Sequence, residues 1–404
     1  MTSRWLLSRT VRHATAMRRH VQKLLNHQRD ILSPQAIEAL QSALGELRQA
    51  LAAGADKEAL QKQMESLEKT ANKWLKPYPH PAWRENVEVL LVALAIAMGI
   101  RTFFLQPFKI PTGSMQPTLY GVTSVPDLGR RPPGEAGNAE PFVIPTGLER
   151  IREWFAGVSY VVVRAKTDGE LLAVNPPFKI LIFNIYQTLN IGGRTHWIFF
   201  PPDYGSLTLA QRAGLQPRKF YRKGEEVVRL KVVAGDHLFV DRLTYNFRPP
   251  RRGEIIVFET KGIPEVYRET DRWSIPADQF YIKRLVGLGG ERIQIGADRH
   301  LIVNGERLTA SVPHFENVYS FDTNQAPRDS QYSGHIAGFG LAPFFEGKPD
   351  GVLIPKDHYL VMGDNTVNSL DSRAWGYFPA KYVIGKSFFV YWPITKRFGV
   401  GYHR

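Results

Sequence analysis

Ser114 is the residue of this chain best framed for chemistry. It stands in the stretch Phe108–Gly121, FKIPTGSMQPTLYG, with Gly113 before it, Met115 after it, and Pro111 and Pro117 three residues to either side. Proline fixes φ and glycine permits a tight turn, so this pattern predicts a rigid loop presenting one hydroxyl. A serine hydroxyl is a weak nucleophile and needs a base within hydrogen-bond reach. The chain has 11 histidines, but none sits in a context that suggests a triad. His13, His20 and His27 recur every seven residues, roughly 10 Å apart along a helix axis. That is too far to share a metal, and a solvated basic stripe is the expectation. His237 and His358 precede strand-like runs, where turn and surface roles are common. There is no cysteine, which excludes disulfides, thiol nucleophiles and cysteine-based metal sites. No HExxH, P-loop or helix-opening GxGxxG is present either, so no metal and no cofactor are expected.

Lysine is the remaining base. A free lysine is protonated at neutral pH. Burial, or a neighbouring cation, destabilises the charged form and lowers its pKa. FYIKRLVGL offers that setting at Lys283, with Arg284 beside it. In a strand the two side chains point to opposite faces, so one cation faces whichever side is buried. Lys283 shares its face with Tyr281 and Leu285. Spacing alone leaves a surface lysine with its stem on apolar neighbours as the alternative.

The elements that must position these residues fall into three regions. Residues 1–82 read as helical. Arg4–Gln28 is basic and loosely amphipathic; no small-residue cleavage site follows it. Ser33-Pro34 is a helix start, followed by Ile37, Leu40, Leu44, Leu47 and Leu51 at helical spacing. Gly54 stops that helix, and Asp56 caps a second with Leu60, Met64, Leu67 and Ala71 on one face. The pair predicts an antiparallel helical hairpin, broken by Pro77, Pro79 and Pro81. Residues 83–107 read as a transmembrane helix. The fully apolar part, Val89–Ile100, is shorter than the roughly 20 residues that cross a bilayer. Phe103–Leu105 extend it if Arg101 snorkels, and a buried core helix is the alternative. The Lys and Arg residues before it place the N-terminus in the cytoplasm by the positive-inside rule.

From Phe108 onward short alternating runs are separated by Gly, Pro and Asp turns, as in DHLFVDRL, GEIIVFE and HYLVMGD. Residues 108–404 therefore read as a mainly β, antiparallel domain, with VNGE in LIVNGERL as a hairpin turn. One further helix is expected near Leu148–Phe155, and Gly129–Pro141 reads as a loop. The net charge of +14 admits an anionic lipid surface. No basic–aromatic motif for nucleic acid accompanies it, so no nucleic-acid partner is expected.

QPFKIPTGSMQPTLYG, RRGEIIVFE, YIKRLVGLGGERI and GDNTVNSLDSRAWGYFP resemble, in order and directly after an apolar span, the signature boxes of type I bacterial signal peptidases. The likeness covers Val87–Gly121 and most of Ala234–Trp392. It leaves out the N-terminal helices and insertions at about 122–233 and 309–350. The resemblance implies a serine/lysine endopeptidase of signal-peptidase fold that removes signal peptides through an acyl-enzyme. Ser114 matches the nucleophile and Lys283 the general base. Thr112 matches a hydroxyl that joins the Ser114 N–H in an oxyanion hole; the family often has serine here. Ser369 matches the hydroxyl that orients the lysine. Asp371 and Arg373 match a structural ion pair, and Asp364 and Asn365 the turn that positions this box. Ile110, Pro111, Met115, Leu119 and Tyr281 match residues around the pocket for a small side chain before the cut. Phe108–Pro111 and Asp278–Tyr281 match edges to which substrate adds as a strand.

The resemblance further implies secreted preproteins as substrates and a bacterial inner membrane as location. The chain would be single-pass, with the β domain outside; contact with the secretion translocon stays open. Two rival readings remain. One is a cytoplasmic, self-cleaving serine/lysine protease of repressor type. The other is an inactive membrane-tethered protein that holds secretory chains. Trp197–Phe200 reads as a packed strand, with a dip into the membrane interface as the alternative.

Overall fold

The computed structural model describes residues 8–76, 81–126, 142–180, 183–319, 334–338 and 340–400. Pro77, Pro79 and the loop read at Gly129–Pro141 lie outside them. The contacts divide the chain into two compact units, Met1–Leu94 and Ala95–Arg404.

In the first unit the expected hairpin forms from α1 to α3 as a group of three helices rather than two. These are α1 (Arg9–Gln28), α2 (Pro34–Ala52) and α3 (Lys57–Trp74). Ser33 caps α2 by accepting from the Ala36 N–H, and Asp56 caps α3 by accepting from Ala59 at 2.8 Å. Leu40, Leu44 and Leu47 of α2 pack with Leu60, Leu67 and Ala71 of α3. The basic helix α1 adds Ala14, Val21 and Leu25 to the same core. Its last turn is tied down when Gln28 exchanges two hydrogen bonds with the Lys76 backbone, at 2.9 and 3.0 Å. Val11 and Met17 pack against that core as well, so apolar residues three or four apart recruit a helix whose composition is basic. His13, His20 and His27 stay exposed.

The helix α4 (Pro81–Phe103) follows. Trp83–Phe103 is 21 residues long, apolar enough to cross a membrane, and none of it is buried in the protein. The span expected over 83–107 is therefore too long at its end. Leu105–Lys109 is already a strand, because the residue before Pro107 is biased out of the helical region.

The second unit is built on an antiparallel seven-stranded sheet. Its order is Leu105–Lys109, His237–Asp241, Val383–Trp392, Ile255–Glu259, Phe280–Gly287, His358–Met362, Phe378–Pro379. The sheet curls until the Phe108 ring on its edge strand meets Phe280 edge-on, with centroids 5.4 Å apart. Both faces are covered. Ile110, Met115, Leu119, Leu238, Val240 and Val257 pack in one core, and Ile256, Phe258, Leu285, Trp375 and Phe378 in another. A four-stranded sheet, Glu306–Arg307, Leu301–Val303, Arg292–Ile295 and Val352–Leu353, adds a third. Its VNGE turn forms as expected, with Asn304 and Gly305 at φ of 51° and 89°.

The first insertion folds on a core of its own. Thr123–Pro126, Glu226–Val233 and Val158–Arg164 make a three-stranded sheet. A five-stranded sheet joins Phe178–Ile180, Phe183–Ile191, Gly169–Val174, Phe220–Tyr221 and Arg194–Phe199. Val161, Leu171, Leu189, Ile191, Tyr221, Val228 and Leu230 fill the space between them. The helix foreseen near Leu148 runs Gly147–Phe155. Arg194–Phe199 is the strand expected there, but only alternate residues pack: His196 is buried while Trp197 and Phe199 face outward.

Candidate active site

Ser114 and Lys283 meet. The Lys283 Nζ donates to Ser114 Oγ at 2.8 Å, and both side chains are buried. Lys283 reaches this point from the strand Phe280–Gly287, opposite Ile256 in register. It shares a face with Tyr281 and Leu285, as period-two spacing requires, and its amine lies 5.3 Å from the Tyr281 ring centre. Burial pushes the amine down from 10.5 to about 8. Arg373 lowers it further, while the Asp371 and Asp364 carboxylates oppose the fall.

Arg284 does not supply the neighbouring charge expected of it. Its guanidinium points to the opposite, equally buried face and forks onto Asp364 at 2.7 and 2.6 Å. Gly253 O and Thr118 Oγ1 also accept from it, at 2.7 and 3.3 Å. Thr118 in turn donates to Asp364 at 2.5 Å. Asp364 is thus half of a buried ion pair that ties the turn after His358–Met362 to the strand Phe280–Gly287 and, through Thr118, to the nucleophile loop, where sequence suggested only a turn residue. Asn365 holds the nucleophile loop itself. Its N–H donates to Ser114 O at 3.1 Å and its side-chain amide to Gly113 O at 3.0 Å. Gly363 is needed here, since a Cβ would sit 2.4 Å from the Ser114 carbonyl. Gly121 closes the loop, its missing Cβ being 2.1 Å from the Thr112 carbonyl.

The Asp371–Arg373 pair is present and wholly buried. Arg373 Nε and Nη2 each donate to the carboxylate at 2.9 Å, and the Gly363 N–H adds a third donor at 2.9 Å. These partners hold the Asp371 carboxyl below its ordinary range against the opposing effect of burial. Arg373 also donates to Thr366 Oγ1 at 2.8 Å and to Ile336 O at 3.1 Å, and the Ile336 N–H donates to Thr366 Oγ1 at 2.7 Å. The second insertion therefore braces the loop through its backbone. Next to it His335 is buried, its Nδ1 3.0 Å from the Tyr319 hydroxyl, and burial pushes it down to about 3. Nothing in the local spacing of Thr366 or Ile336 announced this clasp.

Ser369 does not orient the lysine through a hydrogen bond in this structure. Its hydroxyl is buried over the Cα of Gly363 and beside the Asp371 carboxylate, which it helps to hold down, and the lysine amine goes to Ser114. Three of the five expected pocket residues, Ile110, Pro111 and Tyr281, line a cleft of about 670 Å³ in front of Ser114 and Lys283. Met115 and Leu119 do not. Both are fully buried among Leu238, Val240 and Ile255, because the turn after Ser114 aims them inward. Thr112 does line the cleft, as do Phe108, Asp278 and Phe280. Ser206, from the first insertion, forms part of the wall. Its loop is held by the buried Arg212, which donates to Tyr204 O at 2.5 Å, Ser124 Oγ at 3.1 Å and Val122 O at 3.2 Å. Lys109 meets Asp203 of the same loop at 3.4 Å.

Two features make the cleft suited to an extended chain. Among the described residues Leu105–Lys109 pairs on one side only, with His237–Asp241. Across the cleft, and again among the described residues, the first half of Phe280–Gly287 pairs only with Ile255–Glu259, since its other neighbour joins at Arg284.

Residues 83–125 and 220–392 match the model of the family described as signal peptidase, peptidase S26. The chain is 34% identical over 161 residues to signal peptidase I of Leptolyngbya laminosa, covering 40% of this chain and 62% of that protein. It is 28% identical over 192 residues to signal peptidase I of Pseudomonas fluorescens, covering 40% and 61%. It is 28% identical over 170 residues to thylakoidal processing peptidase 1, chloroplastic, of Arabidopsis thaliana, covering 42% and 40%. The matched part thus spans less than two thirds of the length of these relatives.

Proposed function

The chain belongs to the signal peptidase family, peptidase S26, and from that premise we propose that it is a membrane-bound serine endopeptidase removing N-terminal signal peptides from secreted preproteins. The observation that carries this reading is the 2.8 Å hydrogen bond from the Lys283 amine to Ser114 Oγ in an open cleft, with the amine pushed down to about 8. A lysine so placed is neutral often enough near pH 8 to accept a proton.

Neutral Lys283 takes the Ser114 proton as Oγ attacks the peptide carbonyl. The carbonyl oxygen gains charge, and the Thr112 hydroxyl and the Ser114 N–H are the donors assigned to it. A donor of this kind typically contributes a few kcal/mol to lowering the barrier. The ammonium of Lys283 then gives its proton to the leaving amine, leaving an ester on Ser114. Lys283 next deprotonates a water that hydrolyses the ester, and Ser114 recovers its proton. No cofactor enters any step.

The substrate lies as an added strand between Lys109–Pro111 and Asp278–Ile282, each of which is paired on its far side and, among the described residues, carries no strand on the side facing the cleft. With Ile110, Pro111 and Tyr281 close around the residue before the cut, a small side chain is favoured. α4 anchors the chain in the bacterial inner membrane, with the N-terminal helices in the cytoplasm and the β unit outside.

The test is cleavage of a secretory precursor by the full chain in lipid vesicles. Wild type should release the mature protein, and Ser114→Ala and Lys283→Ala should not. Undiminished function of Ser114→Ala would favour a tethered binding protein. Full recovery of the chain in the soluble fraction of cells would favour the repressor-type protease.

A further inference from the structure

The five-stranded sheet of the first insertion presents an unusual outer face. Its inner face is ordinary core: Gln187, Leu189 and Ile191 are buried, and His196 with them. Outward, the aromatic rings form a row across three strands. Phe178 stacks on Tyr186 at 5.0 Å, Tyr186 meets Trp197 at 5.0 Å, and Trp197 stacks with Phe199 at 6.2 Å. Phe178, Trp197 and Phe199 are exposed, and Tyr186 between them is half-buried. Trp197 is 50% exposed, Phe199 70% and Phe200 75%, and Phe183 at the end of the hairpin is 64% exposed. An apolar face of this extent on a folded protein marks an interaction site.

Two observations select the occupant. First, the face is graded along the strands. Phe178, Ile180, Phe183, Phe199 and Phe200 gather at one end. On these three strands Tyr186 lies level with Phe178 and Phe199, Trp197 comes next beside Thr188, and Asn190 and Thr195 form the other end, in the register Tyr186↔Phe199, Thr188↔Trp197, Asn190↔Thr195. That is the depth profile of a water–hydrocarbon boundary, with Tyr and Trp at the level where amphipathic rings sit. A protein-binding patch has an apolar centre and a polar rim all round instead. Second, Phe178–Phe200 contains Lys179 and Arg194 but no Asp or Glu, and its one histidine, His196, is buried and held neutral by burial. Such a segment is attracted to an anionic surface. The segment lies outside both stretches matched by the family model.

We infer that the outer face of this sheet inserts its phenylalanine-rich end into the interface of a bilayer containing anionic lipid, as a second membrane contact besides α4. The contact shares with the proposed function the premise of a bilayer but not the catalytic assignment. Its role is to hold the insertion, and with it the Ser206 wall of the cleft, at the membrane surface.

The absence of cysteine makes the test clean. Single-cysteine full-length chains Phe183→Cys, Phe199→Cys, Thr195→Cys and Leu91→Cys are labelled with an environment-sensitive fluorophore. They are reconstituted in phosphatidylcholine vesicles with and without phosphatidylglycerol, and quenched with brominated lipid. Labels at 183 and 199 should be quenched severalfold more than the label at 195, and more strongly with phosphatidylglycerol. Equal, weak quenching at 199 and 195 overturns the inference, and with strong quenching at 91 in α4 it leaves the anchoring reading standing. Quenching at 199 supports the inference whatever position 91 reports. Shielding at 199 that persists in detergent and grows with protein concentration also overturns it, in favour of contact between two copies of the chain.

Discussion

Replacing Lys283 by methionine should abolish cleavage and yet make the protein more stable at neutral pH. The lysine is buried, and burial pushes its amine from 10.5 to about 8. At about 1.4 kcal/mol per pH unit, this gap corresponds to roughly 3 kcal/mol of destabilisation wherever both folded and unfolded chains hold the proton. That condition holds below pH 8. Between 8 and 10.5 the unfolded chain keeps the proton and the folded chain has lost it, so wild-type stability climbs with pH. Above 10.5 the penalty is gone. Methionine fills a similar volume without charge, but leaves Ser114 Oγ without its donor, at a cost of about 1 kcal/mol. The variant should therefore be about 2 kcal/mol more stable at pH 7, and slightly less stable than wild type near pH 10. The assay is urea unfolding of the detergent-solubilised full chain at both pH values, followed by tryptophan fluorescence. A variant less stable than wild type at pH 7, or a difference that ignores pH, would refute the reasoning that burial tunes this amine.

Wild-type kcat/KM on a short peptide substrate should rise with pH and level off around 8, because the base must be neutral; a profile flat from pH 6 to 9 would contradict the assignment. Thr112→Val should lower kcat by roughly 100-fold or more, with Thr112→Ser restoring it, since only the hydroxyl is assigned to the oxyanion. Asn365→Ala removes the side-chain donor to Gly113 O while its backbone N–H still holds Ser114 O, so the nucleophile loop loses one of its two ties; kcat should fall by about 10-fold or more with KM little changed. Arg284→Met leaves the Asp364 carboxylate buried and unpaired, so unfolding should become easier by about 3–5 kcal/mol, and Arg284→Met with Asp364→Leu should recover much of that loss.

The pattern of the strands around the site was legible because alternation is local. Lys283 and Arg284, adjacent in one strand, had to face opposite ways, and they do. The partners of those cations were not legible. Asp364 lies 80 residues from Arg284 along the chain, and only the fold brings them together. The same holds for the Ile336–Thr366–Arg373 clasp, which joins an insertion to a signature box through backbone groups that carry no sequence signal. Met115 and Leu119 flank the nucleophile in sequence, yet a turn separates what is near in chain from what faces the cleft. The aromatic run at Trp197 reads as a strand from sequence, but periodicity of two gives its faces without saying which face meets solvent, so its outward rings are a finding of the structure. At α1 Val11, Ala14, Met17, Val21 and Leu25 pack in a stripe at helical spacing, but the basic residues between them dominate the composition.

The central claim is that Ser114 forms the covalent bond and Lys283 removes its proton. Its most direct test is to mix the full chain with a secretory precursor, quench in acid within one turnover, and map the protein by mass spectrometry. The account predicts an ester carrying the precursor's N-terminal fragment on the peptide that contains Ser114, absent from Lys283→Met. An adduct on another residue, or precursor cleaved at an undiminished rate by Ser114→Ala, would contradict it.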